Sequence, residues 1–575
     1  MRLPVWFQAP DEPITTHPIR VDADTTARRF TFRAILAARR YTFPAAALTM
    51  THQIGEALVP VIMGTAIDRA IATGDTGQLL LWVALLGADF AFLSYSYRFG
   101  SRIGFLGMQS VQHMLRTTVT DRLLDPRGLT GELARPGIAL SIATSDVAMV
   151  ARTMALGIYP VGAFAGVVFC AIVLLTISWP LGLAILVGAP LLLVVLDKAG
   201  GPLERRTEKQ QALAADAAGR ATDLVSGYRV IKGIGAEEEA ARRYRDSSRE
   251  ALAGTVHAKT AEGIYLGSMN LLTGLFIAVL AVVAGLLAWH GQLTVGQLIT
   301  VVGLTQFIIS PLESFAMLVG AYWPTGLASA TRVLSVLNAP HALPEPTDDT
   351  PLSPTGELTL DNVTAGALHN FDLRVAPGEL VGIDGEGEPA GALADVLMLR
   401  RVPDTGTIRW AGDPLTGKDP QQVREHVLVA PHSADLFDGS IVDNVALPGT
   451  DPDRVAAALT AAGVDDFLDT LPDGPDTPVG EGGIRLSGGQ RQRVALARAL
   501  AQPAPLVVLH DPTTAVDSVT EAGIADRLSR IRRGTATVVI TTSPALLAAC
   551  DRVVRLPGSG DDRPTEPGPD AEENR

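Results

Sequence analysis

The sequence predicts a two-part protein, in which an α-helical membrane domain of six spans precedes a soluble α/β domain. Six mostly apolar runs lie within the first 336 residues, and a membrane-spanning helix needs about 20 such residues. The rest of the chain carries short apolar strands separated by helical patterns, which is typical of an α/β fold. At 575 residues the chain is also too long for one domain.

Composition narrows the possible partners and compartments. The net charge of −14 argues against a nucleic-acid partner. Two cysteines, Cys170 and Cys550, cannot form a disulfide framework, so the soluble part suits a reducing compartment. The first residues show no cleavable signal peptide, and we expect the internal spans to direct insertion into a lipid bilayer.

The spacing and charge of the apolar runs predict the topology of the membrane domain. The third and fourth runs are separated by little more than Trp179 and Pro180, whereas residues 98–152 and 197–262 are long and bear arginine. Because lysine and arginine concentrate there and in residues 28–40, the positive-inside rule places both termini and the long loops in the cytoplasm. The length of these loops indicates helices that continue past the bilayer. The predicted spans are residues 43–67, 79–97, 155–179, 181–196, 264–289 and 295–322.

Three carboxylic acids fall inside the predicted spans, namely Glu56, Asp89 and Glu313. Ionisable residues in a membrane are costly and face a cavity or a partner by default. One interpretation is that some of them line a translocation path for polar or cationic substrates. The alternative is that protonated acids make hydrogen bonds between helices.

The soluble part begins after a proline-rich stretch at residues 340–355, which reads as a linker. Residues 357–363 alternate like an edge strand. Residues 379–384 and 505–509 form short apolar runs that predict buried strands. The acidic, Pro- and Gly-containing tail from residue 557 predicts disorder.

The most informative stretch is residues 485–500, which read RLSGGQRQRVALARAL and predict a helix. A serine hydroxyl and two glycine N–H groups at the start of a helix make an anion site. The simpler alternative is a glycine turn that caps an ordinary helix.

LSGGQ followed by RQR resembles the signature motif of ATP-binding cassette (ABC) proteins. Residues 130–147 and 224–237 resemble the two intracellular loops of ABC exporters, and residues 514–517 resemble the D-loop. The resemblance implies an exporter-type six-helix transmembrane domain fused to a P-loop NTPase-like ABC cassette with a helical subdomain. The expected divisions are a cytoplasmic tail at 1–27, the transmembrane domain at 28–336, the linker at 337–355, the nucleotide-binding domain at 356–556 and the disordered tail at 557–575.

The phosphate-binding loop departs from the family pattern. Gly385 matches its first glycine, but Glu388 stands at the second, Gly391 at the lysine that reaches the phosphates and Ala392 at the magnesium-binding hydroxyl. Pro389 removes an N–H donor from the loop. This loop is expected to bind nucleotide poorly.

Other positions that handle ATP in the family also differ. His432 matches the glutamine, His510 the magnesium-binding aspartate, Asp511 the catalytic glutamate and Ser543 the switch histidine. Residues 362–367 contain no aromatic side chain to stack on adenine. The resemblance therefore implies that no catalytic residue or metal ligand of this chain's own site is functional.

The resemblance implies one subunit of a heterodimer in the cell membrane. Its signature, Leu486, Ser487, Gly488, Gly489 and Gln490, and the D-loop Asp517 would face ATP and Mg²⁺ held mainly by a second half-transporter with complete Walker motifs. The expected activity is ATP-driven export of amphipathic or drug-like small molecules. Two alternatives stay open: import of a siderophore-like solute, and a non-transporting regulatory or scaffold subunit.

Overall fold

The computed structural model describes residues 18–22, 24–130 and 136–557. The predicted tails at 1–27 and 557–575 lie largely outside the described residues, as does part of the first predicted intracellular loop, 131–135. The chain divides into two compact units, and each is described by itself. The first comprises Met1–Thr120 and Pro136–Asn338, and the second comprises Asp121–Arg135 and Ala339–Arg575.

The first unit is helical, and each predicted span lies within one or more of its helices. The helices α3, α7 and α9 are 48, 48 and 53 residues long, which exceeds the about 20 residues that cross a bilayer. The helices are α1 (Ala27–Ala37), α2 (Arg39–Ala66), α3 (Thr76–Leu123), α4 (Pro136–Ser141), α5 (Val147–Arg152), α6 (Tyr159–Ile177), α7 (Trp179–Ser226), α8 (Tyr228–Gly233), α9 (Glu237–Trp289) and α10 (Val295–Leu337), with π turns at Ile67–Ile71 and Ile142–Asp146 and a 3₁₀ turn at Thr153–Gly157.

Length and hydropathy identify membrane-crossing helices in this unit. Within the described part of the chain, four helices are long and apolar enough to cross a membrane, and a shorter apolar stretch covers Trp179–Leu192. Large apolar side chains on them are exposed, with Leu271 at 73% and Trp289 at 86%. Such a surface suits hydrocarbon rather than water. The four helices are Thr76–Leu123, Gly137–Ile177, Glu237–Trp289 and Val295–Leu337.

Local sequence signals set the helix ends. Ser178 is extended and separates α6 from α7, whose first turn contains a proline, as helix N-termini favour. Thr294 and Gln297 form a capping box at the start of α10. The Asp68 carboxylate also accepts the Gly296 N–H at 2.8 Å, which satisfies a donor at the positive end of α10.

The second unit contains a four-stranded antiparallel sheet of order β2-β1-β4-β5 and a five-stranded sheet of order β6-β7-β8-β3-β9. The neighbouring strands of the second sheet pair in parallel. Its strands and helices are β1 (Leu358–Ala365), β2 (Leu368–Val375), β3 (Leu380–Asp384), α11 (Gly387–Leu397), β4 (Thr405–Trp410), β5 (Asp413–Pro414), α12 (Pro420–His426), β6 (Val427–Ala430), α13 (Ile441–Val445), α14 (Pro452–Ala461), α15 (Asp465–Leu468), α16 (Gly488–Ala501), β7 (Leu506–His510), α17 (Ser518–Ile531), β8 (Ala536–Thr541), α18 (Pro544–Ala548) and β9 (Arg552–Arg555), with 3₁₀ turns at Gly474–Asp476 and Glu481–Gly483.

The strand predictions have different outcomes. The buried strands predicted at 379–384 and 505–509 are confirmed as β3 and β7. The edge position predicted for residues 357–363 is wrong, because β1 pairs with β2 on one side and β4 on the other. Its alternation arises because one face, including Leu358 and Leu360, is buried in the core while both edges are hydrogen-bonded.

Residues 121–130, which follow most of α3, belong to the second unit and contact the predicted linker. His341 Nε2 lies 3.0 Å from Asp125 Oδ2, and the Leu343 N–H donates to the Arg127 carbonyl at 3.0 Å. Burial alone would raise the pKa of Asp125, but hydrogen bonds from Arg127 and His341 hold it at about 2. The linker is therefore fixed by specific contacts in its first residues.

Candidate functional site

The parallel sheet brings several predicted site residues to one edge. Strands β3, β6, β7 and β8 run parallel, so their carboxyl ends meet, and His432, Asp511 and Ser543 follow β6, β7 and β8 within two residues. Open α/β sheets bind ligands at this edge. The strand predicted before His510 and Asp511 is confirmed as β7, and the positions of His432 and Ser543 after β6 and β8 are additional findings of the structure.

One carboxylate at this edge faces two imidazoles. Asp511 Oδ2 lies 3.5 Å from His432 Nδ1 and 3.7 Å from His510 Nε2, and the two rings are 5.8 Å apart between centroids. Burial lowers the pKa of His510, while the nearby Asp511 opposes that shift. His510 is therefore held toward its neutral form.

This cluster does not fit a magnesium ion. Mg²⁺ prefers oxygen ligands in octahedral geometry. At the end of β7, where a carboxylate would be needed, the chain has the His510 imidazole. Among the described residues no group of three or more His, Cys, Asp or Glu side chains could hold a metal ion. Asp511 also has φ of 47°, in the left-handed region that non-glycine residues seldom adopt.

A cavity of about 390 Å³ opens beside the two histidines. Its lining includes His432, His510, Asp511, Gln492 and Arg498. Arg498 donates to the Asp435 carbonyl at 2.6 Å and lies 5.3 Å from the centre of the Phe437 ring. The Arg498 guanidinium therefore already interacts with neighbouring protein groups.

The loop after β3, residues 385–392, carries no lysine, arginine, serine or threonine side chain that could donate to a phosphate. Glu386 precedes α11 without making a side-chain cap, and Glu388 lies in the first turn; both are exposed. Asp384 Oδ2 lies 3.6 Å from Arg555 Nε, which is its ion pair. Carboxylates at a helix N-terminus occupy the favourable end of the dipole and repel phosphate. The exposed carboxylates of this loop do not fit nucleotide phosphates.

Two further predicted site residues are Gly391 in α11 and Ser543 before α18. A Cβ placed on Gly391 would meet no atom within 4 Å, so this position has room for a side chain. The Ser543 hydroxyl accepts the Leu546 N–H at 3.3 Å and caps α18. Ser543 therefore serves the helix that follows it.

The signature stretch caps α16. The Ser487 hydroxyl accepts the Gln490 N–H at 3.3 Å, and the Gln490 side chain accepts the Ser487 N–H at 2.9 Å. This capping box leaves Ser487 and Gly488 exposed, while Leu486 is buried. The helix is confirmed, but the capping box was missed, although Ser-x-x-Gln before an apolar run is its sequence signal.

The signature helix also holds the predicted D-loop. Gln492 Nε2 donates to Thr514 Oγ1 at 2.6 Å, and its Oε1 accepts the Ala515 N–H at 2.7 Å. A Cβ on Gly489 would approach the Ala515 carbonyl oxygen to 2.6 Å, so this contact needs glycine. Asp517 caps α17 through the Thr520 N–H, and that bond lowers the pKa of Asp517. Signature and D-loop form one hydrogen-bonded assembly.

The three acids of the membrane unit do not share one site. Glu56 lines a cavity of about 380 Å³ together with His52, Gln53 and Tyr97. Asp89 is buried against α2, where a Cβ on Gly55 would lie 3.3 Å from its Oδ1, and Glu313 is half-buried on α10. Neither lines that cavity. The sequence analysis missed His52 and Gln53, although their spacing from Glu56 places them on one helix face.

Comparison with known proteins follows the same division of the chain. Residues 43–312 match the ABC transporter transmembrane region, and residues 368–514 match the ABC transporter cassette. An ATP-dependent lipid A-core flippase of Chromobacterium violaceum is 30% identical over 66% of this chain and 67% of its own length. A probable multidrug resistance ABC transporter ATP-binding/permease protein of Bacillus subtilis is 27% identical over 90% and 91%.

A multidrug efflux ATP-binding/permease protein of Mycobacterium tuberculosis is 30% identical over 87% of this chain, which spans 42% of that relative's length. The solved structure of a bacterial Atm1-family ABC exporter with ATP bound has a TM-score of 0.67, covering 92% of this chain and 94% of its own. At 23% identity it shows the fold alone.

These matches and the apolar helices define a multi-pass membrane transporter with a fused α/β domain. The chain belongs to the ATP-binding cassette (ABC) transporter family, with one exporter-type transmembrane region followed by one cassette. The family's cassette binds ATP with Mg²⁺, which makes the departures in this chain's phosphate loop its most informative feature.

Proposed function

We propose that this chain is the non-hydrolysing subunit of a heterodimeric ABC exporter with six spans and a cytoplasmic cassette in the cell membrane. The observation that carries the proposal is the contrast within one cassette. The signature and D-loop are held together by Gln492, whereas the phosphate loop has Gly391 in place of lysine and two exposed glutamates.

Phosphoryl transfer needs a positioned metal ion, a phosphate-binding lysine and a carboxylate that orients water. This chain offers the His510 imidazole, Gly391 and the short Asp511 carboxylate at the corresponding positions. Its exposed Ser487 hydroxyl and Gly488 N–H, at the positive end of α16, suit an anion approaching from outside the chain. The ATP and Mg²⁺ would be held mainly by a partner chain with complete Walker motifs.

The names of the relatives support export as the direction and amphipathic compounds as the substrate class. The proteins of M. tuberculosis and B. subtilis are named as multidrug transporters, and that of C. violaceum as a lipid A-core flippase. Multidrug and lipid substrates share large apolar surfaces with polar groups. We extend this class, and no particular compound, to the present chain.

The proposal is tested by comparing magnesium-dependent ATP hydrolysis of the purified chain alone, its candidate partner alone and the two co-expressed in lipid nanodiscs. We expect turnover only where the partner is present, and the highest rate in the mixed complex. Hydrolysis by the chain alone at the rate of the complex would contradict the proposal. A complex whose rate equals that of the partner alone would instead favour a scaffold role.

A further inference from the structure

We propose that the membrane unit contains a binding site for an organic cation with aromatic rings, centred on the Glu56 carboxylate. This proposal adds a substrate class to the proposed function. It rests on that function only for the role of the cavity in transport. The cavity of about 380 Å³ falls in the range of about 300–1,000 Å³ usual for ligand pockets. Residues of α2, α3, α6 and α10 line it.

Glu56 is incompletely neutralised within this cavity. Its side chain remains 49% exposed, and its Oε2 accepts from Gln53 Nε2 at 3.3 Å and lies 3.7 Å from His52 Nε2. A carboxylate within a membrane helix is unfavourable unless a positive charge or strong donors compensate it. Both contacts are long, so a bound cation would supply the compensating positive charge that the protein does not.

His52 adds an acceptor rather than a donor in its neutral form. Its Nδ1 lies 2.9 Å from the Leu93 carbonyl oxygen, and because a carbonyl only accepts, Nδ1 carries the proton. The Nε2 lone pair then faces Glu56. The hydrogen bond to Leu93 thus fixes the tautomer that leaves the cavity without an imidazole donor.

One side-chain acceptor lacks a partner, and one backbone carbonyl lacks its usual helical donor. Gln53 Oε1 is buried and makes no hydrogen bond, which is a costly arrangement for a polar atom. Pro311 lies inside α10 and has no N–H for the carbonyl of Phe307, which lines the same cavity. The Glu56 carboxylate and the unpaired Gln53 Oε1 are therefore acceptors that suit a cationic ligand, whereas the serine and tyrosine hydroxyls of the lining can either donate or accept.

Aromatic rings complete the site. The Tyr97 ring lies 4.9 Å from that of His52, and Tyr159 and Phe307 also line the cavity. Aromatic faces attract cations within about 6 Å, and the attraction grows when water is excluded. Together with the carboxylate they select a monovalent cation that carries apolar rings.

The test uses tetraphenylphosphonium and tetraphenylborate, which have similar shape and opposite charge. Equilibrium binding of each radiolabelled ion is measured on the full chain in nanodiscs without nucleotide. We expect saturable binding of the phosphonium that Glu56→Gln weakens about 10-fold or more, since the amide keeps the shape of the side chain but loses the Coulomb attraction between carboxylate and cation. The matched control Glu313→Gln changes a membrane carboxyl outside the cavity and should alter the affinity less than about two-fold.

A second variant keeps the charge and removes the space. Ser314→Phe fills the cavity from α10 and should also abolish phosphonium binding, whether or not Glu56→Gln folds. Equal binding of both ions, or phosphonium binding that is unchanged in Glu56→Gln or Ser314→Phe, would overturn the proposal.

The failure of this site and of the proposed function can be told apart. Glu56-dependent binding without ATP-driven transport by the complex would leave the site intact and contradict the exporter. ATP-driven export together with phosphonium binding indifferent to Glu56 would contradict the site alone.

Discussion

The two ends of the ATP-binding cassette differ in how their side chains are employed. At the signature end, Ser487 and Gln490 form a reciprocal pair of hydrogen bonds that fixes the start of α16. The Gln492 side chain makes two hydrogen bonds to the D-loop. At the phosphate-loop end, Glu386 and Glu388 are exposed at the start of α11. One end presents a hydroxyl and backbone N–H groups at its surface, and the other presents carboxylates.

Under the proposed function, the difference means that a cassette can lose its own phosphate chemistry and keep the surface that it presents to a partner. The strands that position both ends, β3 and β7, pair with the same central strand β8. Their buried residues maintain the sheet whatever side chains follow the strand ends. Substitutions at the two ends should therefore have different consequences, and three predictions examine this.

The largest expected effect is that of Ser487→Ala on ATP hydrolysis by the complex. Ser487 and Ser440 cap α16 and α13 with the same reciprocal box, so Ser487→Ala and Ser440→Ala should each cost about 1 kcal/mol of stability. Only Ser487→Ala removes a hydroxyl from the proposed anion site, and we expect hydrolysis to fall about 10- to 100-fold. Equal hydrolysis rates in the two variants would show that the hydroxyl acts only as a cap.

A smaller effect is expected on the free energy of unfolding, which Gly489→Ala and Gly391→Ala should change in opposite directions. In Gly489→Ala the new Cβ meets the Ala515 carbonyl at 2.6 Å, and the strain should cost about 1–3 kcal/mol. In Gly391→Ala the Cβ meets nothing, and the higher helix propensity of alanine should stabilise α11 by about 0.5–1 kcal/mol. Denaturation of the full chain measures both. Equal changes would mean that the D-loop does not pack on the signature as described.

The smallest effect is on the pH dependence of the stability of the cassette. Because burial lowers the pKa of His510 in the folded cassette, the unfolded chain takes up its proton first as pH falls below about 6.5. The stabilising contribution is complete above that pH and is lost as pH decreases toward the folded-state pKa. Calorimetry of His510→Gln between pH 7 and 5 should therefore show a smaller fall in Tm than the wild-type chain. The same pH dependence in both proteins would exclude this linkage.

Much of the fold follows from local sequence patterns. The apolar runs at 43–67 and 264–289 correspond to α2 and the end of α9, because a long apolar run has few alternatives to a helix. The edge assignment of β1 was wrong because pairing on both sides with β2 and β4 is decided by residues up to about 50 positions away. Alternation reports which face is buried and carries no information about edges.

The candidate sites show the same limit. The residues at positions 391, 432, 510 and 511 can be found from motifs in the sequence, although they lie in different elements: Gly391 is inside α11, His510 ends β7, and the other two follow strands. The spacing of His52 and Glu56 was visible, but the approach of Tyr97 and Phe307 depends on how α3 and α10 pack on α2. Likewise, the contact of Asp125 with His341 joins residues 216 apart. Local patterns cannot supply such contacts.

The central claim is that this chain supplies a signature to ATP bound by another chain. Vanadate trapping of the co-purified complex with a photoreactive, radiolabelled ATP analogue tests it most directly, because the label reports which chain holds the hydrolysed nucleotide. The account predicts label on the partner, its loss when Ser487→Arg is introduced in this chain, and little label here. Trapped label on this chain that persists in the Ser487→Arg variant would contradict it.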